Sequence, residues 1–280
     1  MLVEISPDIS NGREQHPIPL LIHKSCLENC QNQILPTFKY VTKTFINLTQ
    51  NLDQKSDESN QFQLLRLIEV GRLATNNLED QVFCDCKNEV CQISCHNLNI
   101  NSSIYFCGDF CSCNSTLCCL RLSNFDVSKK INFEVFAIDV QGSNFGLRCK
   151  DPLPKEKLIG PYAGEIISNE ESLLRDLDDY YFKFSEEKEE DLTRLDTIDA
   201  RFYGNFTRFI NHSCQPNLKS VKIYDGHTNT ARPEIYFMAL KDIEIDEELT
   251  FDYGNVWWSA KLENDENFKC FCQSENCRYK

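Results

Sequence analysis

Cysteine spacing is the feature that most limits what this chain can fold into. The 280 residues contain 16 cysteines, and nine of them fall between residues 84 and 119. Their pattern is C-x-C-x4-C-x3-C, followed by C-x3-C-x-C-x4-C-C. Two thiols separated by one residue suit one metal ion, or two adjacent ions, better than disulfides to distant partners. The block therefore favours a region organised around metal rather than around a large apolar core.

The number of thiols in this block fits a cluster of three zinc ions. Three ions with four ligands each require twelve bonds. Nine thiolates supply twelve bonds if six are terminal and three bridge two ions. The predicted ligands of this cluster are Cys84, Cys86, Cys91, Cys95, Cys107, Cys111, Cys113, Cys118 and Cys119.

A second group of cysteines, C-x-C-x4-C, lies at Cys270, Cys272 and Cys277. Three thiolates leave a tetrahedral zinc site one ligand short. Cys214, in the turn RFINHSCQPN (208–217), lies outside both groups and is the candidate for the fourth ligand. The alternative, a Cys214–His212 nucleophile pair, requires a third group to orient the base, and the sequence does not specify one.

Charge and patterning narrow the class of protein. The net charge of −14 does not provide the basic footprint that nucleic acid requires, and it suits a basic partner such as a Lys/Arg-rich peptide. Solubility alone is the other explanation for such acidity. There is no apolar run of 18 residues and no secretory signal pattern at the first residues, so we expect a globular protein that is neither exported nor in a membrane.

The remaining sequence predicts a mainly β fold with some α-helix. Short β-rich runs separated by Gly, Pro and Asp occupy residues 131–138, 157–167, 233–240 and 247–254. Helical patterns cover residues 61–79 and 170–179. We expect an N-terminal segment (1–83), a cysteine module (84–119), a strand-rich domain (131–254) and a second cysteine module (268–280).

These motifs together resemble the SET-domain protein lysine methyltransferases that modify lysine 9 of histone H3. Residues 8–19 and 84–119 resemble the family's pre-SET region, and CFCQSENC (270–277) resembles its post-SET zinc site. The successive SET motifs are GSNFGLR (142–148), PYAGEII (161–167), DARFYGNFTRFINHSCQPN (199–217) and ELTFDYG (248–254). RFINHSCQPN and ELTFDYG together are the specific part of this resemblance.

The resemblance implies a β-clip SET fold with a pseudoknot, and S-adenosylmethionine as the methyl donor. It implies zinc as a structural metal, three ions in the pre-SET region and one in the post-SET region. The implied partner is a histone H3 tail, and the implied location is chromatin in the nucleus. The implied catalytic residues are Tyr253, Tyr162 and Phe251. The implied cofactor-binding residues are Ser143, Asn144, Phe145, Tyr180 (with Tyr181 as the neighbouring alternative), Arg208, Asn211, His212 and Trp257, the last with a simple core tryptophan as the alternative.

Two positions depart from the family pattern. Asn144 replaces the first glycine of the glycine–tryptophan–glycine loop, and Phe145 keeps an aromatic surface there. The nine cysteines divide four and five rather than five and four, which makes Cys119 the least certain ligand. Phe251 occupies a position where the family has either Phe or Tyr, and a phenylalanine there implies a di- or trimethyl product. The competing class is a SET fold that binds histone tails without turnover. The altered glycine loop favours that class, and the intact Asn211, His212, Tyr162 and Tyr253 argue against it.

Overall fold

The computed structural model describes residues 2–23, 38–44, 103–106, 131–140, 143–175, 180–184, 195–225 and 233–280. The chain divides into two compact units. One contains residues 1–44, 127–220 and 236–280, and the other contains residues 45–126 and 221–235. The predicted cysteine module at 84–119 and the predicted helix at 61–79 lie outside the described residues.

Strands dominate the described part of the chain, as predicted. They are β1 (Leu2–Ser6), β2 (Leu20–His23), β3 (Lys39–Tyr40), β4 (Ser103–Phe106), β5 (Phe133–Val140), β6 (Ser143–Cys149), β7 (Leu158–Pro161), β8 (Glu165–Ser168), β9 (Tyr181–Lys183), β10 (Leu195–Asp199), β11 (Tyr203–Gly204), β12 (Asn211–His212), β13 (Leu218–Asp225), β14 (Glu234–Ala239) and β15 (Thr250–Phe251). Two α-helices, α1 (Asn169–Leu174) and α2 (Asn255–Asn264), and a 3-10 helix (Phe206–Phe209) accompany them.

The first unit contains a four-stranded sheet in the order β1-β2-β5-β6. Its core is built on alternation: Phe133, Val135 and Ala137 of β5 are buried, and Val135 pairs with the fully buried Leu147 of β6. The ring of Phe133 stacks on that of Phe206 with centroids 4.5 Å apart. This contact joins the sheet to the segment that leads into RFINHSCQPN.

The loop before β2 is organised by one carboxylate. Asp8 accepts hydrogen bonds from the backbone of Ser10 at 2.9 Å, Gly12 at 2.8 Å and Ile18 at 3.1 Å. Asn11 and Gly12 have positive φ values of 53° and 75°, a conformation that Asn and Gly adopt most readily. A single aspartate therefore shapes the turn-rich stretch predicted from residues 8–19.

A second sheet of the first unit has the order β8-β10-β9. The Arg175 guanidinium bonds to Glu165 at 2.9 Å and Asp199 at 2.6 Å, and both carboxylates are almost fully buried. Glu171 bonds to the same guanidinium from α1 at 2.9 Å. Because buried charges are tolerated only when paired, this network fixes α1 against β8 and β10.

Three further strand pairs lie in the described part of the first unit. β11 pairs with β3 in parallel, and β7 pairs antiparallel with β14 at residues 160–161 and 236–237. β12 pairs in parallel with β15, with Asn211 opposite Thr250 and His212 opposite Phe251. This last pair brings RFINHSCQPN beside ELTFDYG.

The second unit contains a parallel pairing in its described part. Residues 222–225 of β13 lie opposite residues 103–106 of β4.

The helices differ from the expectation in one respect. The helix predicted at 170–179 is present as α1, which is shorter than predicted and ends at Leu174 with Arg175 as its C-cap. Helix α2 was not predicted, since residues 255–280 read as a polar tail, and it buries only Trp258. Across the described ranges, none of the helices is both long and apolar enough to cross a bilayer.

Candidate functional site

The stretch RFINHSCQPN begins within the 3-10 helix Phe206–Phe209, at Arg208. Asn205 caps this helix, since its side chain accepts from the backbone N–H of Thr207 at 3.1 Å and donates to the carbonyl of Pro161 at 2.9 Å. The chain then enters β12, and the backbone N–H of Ser213 donates to the carbonyl of Phe251 at 3.0 Å. Both motifs of the sequence therefore meet along one short parallel ladder.

The side chain of Asn211 anchors this ladder to β6. Its amide nitrogen donates to the carbonyl of Phe145 and to Glu248 Oε1, both at 2.9 Å. A Cβ atom on Gly146 would lie only 2.9 Å from that Glu248 oxygen and 2.6 Å from Ile138 Cδ1. Burial raises the pKa of Glu248, and the bond from Asn211 opposes that rise. Gly146 therefore leaves the space that the Asn211–Glu248 contact needs.

His212 lies between β15 and α2. Its Nδ1 is 3.1 Å from the backbone nitrogen of Tyr253 and 3.4 Å from Nε1 of Trp258. Its Nε2 is 3.3 Å from the sulfur of Cys214. Burial lowers the pKa of His212 to about 4, so the imidazole is neutral near pH 7.

Four cysteines from two distant segments converge beside His212. The sulfurs of Cys214, Cys270, Cys272 and Cys277 all lie within 4.8 Å of one another, and all four are free thiols. Cys214 Sγ is 3.9 Å from the sulfurs of Cys270 and Cys277. Zinc–sulfur bonds of about 2.3 Å at tetrahedral angles place sulfurs about 3.8 Å apart. The donor set and its spacing therefore fit one zinc ion, with the ligands predicted from the sequence.

An aromatic cluster surrounds the end of β15. The Phe251 ring is 8% exposed, and its centroid lies 4.8 Å from those of Phe237 and Tyr253. The Tyr253 hydroxyl donates to the carbonyl of Ile210 at 3.2 Å. Tyr162 donates to the carbonyl of Tyr180 at 2.8 Å, and burial raises its pKa. The three predicted catalytic side chains therefore lie within one aromatic neighbourhood.

Arg208 is buried with incomplete hydrogen bonding. Its Nε donates to the carbonyl of Ala200 at 2.9 Å, and its guanidinium lies 4.1 Å from the ring centroid of Tyr180 and 4.5 Å from that of Phe38. One terminal nitrogen has no hydrogen-bond partner within the described ranges. Burial lowers the pKa of Arg208. Tyr180, rather than Tyr181, thus contacts both Arg208 and Tyr162.

The other predicted cofactor residues are placed less completely. Ser143 and Asn144 lie within β6, and their side chains are outside the described part of the structure. Phe145 is buried with its ring edge-on to Phe209 at 6.1 Å. Trp257 is half-buried, and its ring lies edge-on to Tyr253 at 4.9 Å. The nine cysteines of 84–119 are not among the described residues.

Sequence reasoning missed Trp258 and Tyr279. Trp258 is 3% exposed, and its ring stacks on Tyr279 with centroids 4.2 Å apart. Adjacent residues on a helix point about 100° apart, so Trp257 and Trp258 face different directions. Only the orientation of α2 about its own axis decides which of the two is buried, and the sequence does not give that orientation.

Asn217 was also missed, although it stands within RFINHSCQPN. Its Oδ1 accepts from the backbone of Thr250 at 2.8 Å, and its Nδ2 donates to the carbonyl of Glu248 at 2.8 Å. Asn217 is almost fully buried. The available signal in the sequence was that Asn217 directly follows a proline within RFINHSCQPN. Its contacts form a second link between the two motifs, in addition to that of β12 with β15.

Comparison with known proteins identifies the domain. Residues 144–254 match the SET domain family. The chain is 27% identical over 291 aligned residues to histone-lysine N-methyltransferase EHMT1 of Mus musculus, covering 98% of this chain and 20% of that protein. It is 34% identical over 152 residues to the H3 lysine-9 specific histone-lysine N-methyltransferase SUVH5 of Arabidopsis thaliana, covering 53% of this chain and 18% of that protein. The chain therefore spans about a fifth of the length of these curated relatives.

Solved structures show the same fold. Arabidopsis thaliana SUVH6 in complex with SAM aligns with a TM-score of 0.67 at 24% identity, covering 99% of this chain and 56% of that one. KRYPTONITE in complex with mCHH DNA, an H3(1-15) peptide and SAH aligns with a TM-score of 0.67 at 21% identity, covering 99% of this chain and 53% of that one. These findings agree with the resemblance drawn from the motifs: residues 144–254 match the SET domain family, and the relatives of the chain are named histone-lysine N-methyltransferases.

Proposed function

We propose that this chain is an S-adenosylmethionine-dependent protein lysine N-methyltransferase that acts on lysine 9 of histone H3. The observation that carries the proposal is the assembly at the β12–β15 ladder. There the Asn211–His212 segment lies beside Tyr253 and Phe251, and the next residue but one, Cys214, joins the four-thiol cluster. This assembly is built from the two motifs that most specifically resemble the family.

The reaction is an in-line displacement, in which the lysine nitrogen bonds to the methyl carbon as the carbon–sulfur bond breaks. S-adenosylmethionine would supply the methyl group from its positively charged sulfonium, whose sulfur would leave as a neutral thioether. The nitrogen must be neutral to attack, so the lysine ammonium first loses a proton to solvent water. A protein contributes mainly alignment and exclusion of water to such a reaction. The buried aromatic rings around Tyr253 and Phe251 suit this task.

Tyr253 and Tyr162 are the proposed catalytic phenols. Each hydroxyl donates to a backbone carbonyl, at Ile210 and Tyr180 respectively, and this fixes where its oxygen lone pairs point. An uncharged phenol oxygen at a fixed position can accept hydrogen bonds from the N–H groups of the amine. The nitrogen lone pair then points away from that oxygen. We propose that these two oxygens hold the lysine nitrogen in line with the methyl group.

The proposed donor site surrounds the same ladder. Asn211 and His212 form its centre, and Arg208, Phe145, Tyr180 and Trp257 provide cationic and aromatic surfaces near it. Ser143 and Asn144 contribute through the start of β6. The SAM-bound SUVH6 structure supports S-adenosylmethionine as the ligand, because its fold matches over nearly the whole of this chain.

The proposed substrate is a histone H3 tail, and the proposed location is chromatin in the nucleus. KRYPTONITE, which shares the fold, holds an H3(1-15) peptide, and SUVH5 is named as H3 lysine-9 specific. The net charge of −14 favours encounter with a basic peptide. We propose no nucleic-acid site on this chain, because its net negative charge does not provide the basic surface that phosphate groups require.

We propose that zinc is a structural metal at two places. Cys214, Cys270, Cys272 and Cys277 would hold one ion, and thiolate ligands in a closed tetrahedral set are typical of structural zinc. Three more ions are proposed for the cysteines at 84–119, on the number and spacing of thiols alone. The first site ties the loop after β12 to the segment that follows α2.

Phe251 supports a di- or trimethyl product. Its ring lies 4.8 Å from Phe237 and 6.1 Å from Phe182, so its described ring neighbours include two further side chains without a hydroxyl. A hydroxyl at this position would hold a water molecule in the space that a methyl group needs. Displacing an ordered water is unfavourable when the incoming methyl group cannot replace its hydrogen bonds, and each 1.4 kcal/mol of such a cost is about tenfold in rate.

Methyl transfer to peptides tests the proposed function. Incubating the chain with labelled S-adenosylmethionine and a histone H3 tail peptide should label the peptide, and a peptide with arginine in place of lysine 9 should remain unlabelled. Transfer to both peptides would refute the assignment to lysine 9. Binding of the peptide without transfer would refute the enzymatic assignment and support the non-catalytic class.

A further inference from the structure

We propose that His212 is a positioning residue of the four-cysteine metal site, and that Trp258 sets the tautomer in which it acts. The imidazole donates its Nε2 hydrogen to the sulfur of Cys214. The inference rests on the proposed zinc site and adds a role for a side chain otherwise assigned to the donor pocket.

The tautomer follows from what surrounds Nδ1. Within hydrogen-bonding distance of it are the backbone N–H of Tyr253 at 3.1 Å and the indole N–H of Trp258 at 3.4 Å, whereas the Asp252 carboxylate oxygen lies farther away, at 3.7 Å. Both groups can only donate a hydrogen bond. Nδ1 therefore accepts through its lone pair, and the ring hydrogen lies on Nε2.

That hydrogen points toward a metal ligand. Nε2 lies 3.3 Å from Cys214 Sγ, within hydrogen-bonding distance of sulfur. The backbone N–H of Arg278 donates to the same sulfur at 3.3 Å from the opposite segment. Hydrogen bonds to a metal-bound thiolate orient it and stabilise its negative charge. Cys214 thus receives one donor from each of the two segments that the metal would join.

Trp258 is held in place by the cysteine segment itself. Its ring stacks on Tyr279 with an interplanar angle of 11°, and it meets the His212 ring edge-on at 4.9 Å. The carbonyl of Tyr279 accepts from the backbone N–H of Cys270 at 2.7 Å. The chain of contacts therefore closes on itself, from Cys214 through His212, Trp258 and Tyr279 back to a second metal ligand.

Two substitutions separate the donor role of His212 from its bulk. In His212→Gln the amide nitrogen comes about where Nε2 lies, so a donor to Cys214 is kept. In His212→Asn the shorter side chain reaches only about as far as Nδ1, so that donor is lost. Trp258→Phe keeps an aromatic ring and removes the indole N–H, and Val256→Ala, at an exposed position of the same helix, is the control.

The measurement is the rate of zinc release from the full chain into a chromogenic chelator. Zinc release from the four-cysteine site is the kinetic phase that the wild type shows and Cys277→Ser lacks. This comparison distinguishes it from release of any zinc bound at 84–119. Loss of an outer-shell hydrogen bond to a metal ligand costs about 10- to 100-fold in affinity. We expect this phase to accelerate by about that factor in His212→Asn and by a smaller factor in Trp258→Phe. His212→Gln and Val256→Ala should stay within about threefold of the wild type.

The outcomes distinguish this inference from the zinc proposal. If the wild-type chain shows no phase that Cys277→Ser lacks, the metal proposal fails and this inference fails with it. If the phase exists and His212→Asn releases zinc at the wild-type rate, the inference alone is wrong. Equal acceleration in His212→Asn and His212→Gln would also contradict it, because bulk rather than the donor would then matter. A shifted thiolate-to-cobalt charge-transfer band in cobalt-loaded His212→Asn, and not in His212→Gln, would support it independently of release rates.

Discussion

Replacing Asn211 by alanine should uncouple the β12–β15 ladder from β6. The amide of Asn211 donates one bond to the neutral carbonyl of Phe145 and one to the Glu248 carboxylate. A neutral hydrogen bond contributes about 0.5–1.5 kcal/mol and a charged one about 1.5–3 kcal/mol. Glu248 is only half-buried, so it regains some hydration, and we expect the loss to fall between about 2 and 3 kcal/mol.

The same loss should appear in donor binding. If the free energy that fixes the Asn211 segment must be supplied by the ligand instead, affinity for S-adenosylmethionine falls by about 30- to 150-fold. Calorimetry measures that affinity, and urea unfolding measures the stability. The chain has two tryptophans, Trp257 and Trp258, so their fluorescence reports directly on the helix beside this site.

Asn264→Ala is the matched control, since Asn264 is exposed at the end of α2 and should change neither quantity by more than about 0.5 kcal/mol. If Asn211→Ala keeps both its midpoint in urea and its affinity for the donor, the anchoring role of the amide is refuted. A loss of stability without a loss of affinity would remove Asn211 from the proposed donor site.

Three further substitutions or treatments test other parts of the site. Tyr253→Phe keeps the ring and removes the oriented oxygen. Donor affinity measured by calorimetry should stay within about threefold, and single-turnover transfer should fall by about 100-fold or more. Equal loss of affinity and transfer would indicate a folding defect. Phe251→Tyr should shift the products toward monomethyl with the first transfer little changed, as read by mass spectrometry of an H3 peptide at long times, and a variant that still reaches three methyls would contradict the reasoning. Metal analysis should give close to four zinc ions per chain, and a chelator should abolish transfer at concentrations that leave the far-ultraviolet circular dichroism unchanged; a content near zero with disulfides present would exclude the zinc proposal.

The cysteine set was the part of the site that the sequence predicted best. Its ligands have a fixed chemistry and a fixed bond length, so spacing alone identified Cys270, Cys272 and Cys277 as three members of a set of four. The fourth, Cys214, was the cysteine that stood in a tight turn outside both clusters. The structure brings these four sulfurs together.

Packing partners were not predictable in the same way. The contacts of Asn217 with β15, and of Trp258 with His212, depend on which strands become neighbours and on the phase of α2. Helix α2 itself has little amphipathic periodicity, because it buries one side chain only. Its position is set by stacking on Tyr279 and by the contact with His212, which are long-range contacts that a local pattern does not contain.

The link between Cys214 and the later cysteines also sets an order of events during synthesis. Cys277 follows Cys214 by 63 residues. At about 5–20 residues per second, a ribosome needs about 3–13 s to cover that distance. Throughout that interval the Cys214 site lacks at least one of its ligands, because Cys270 and Cys272 are also made late, 56 and 58 residues after Cys214. Metal loading at this site is therefore a late step, and the nascent chain depends on a reducing environment until it is complete.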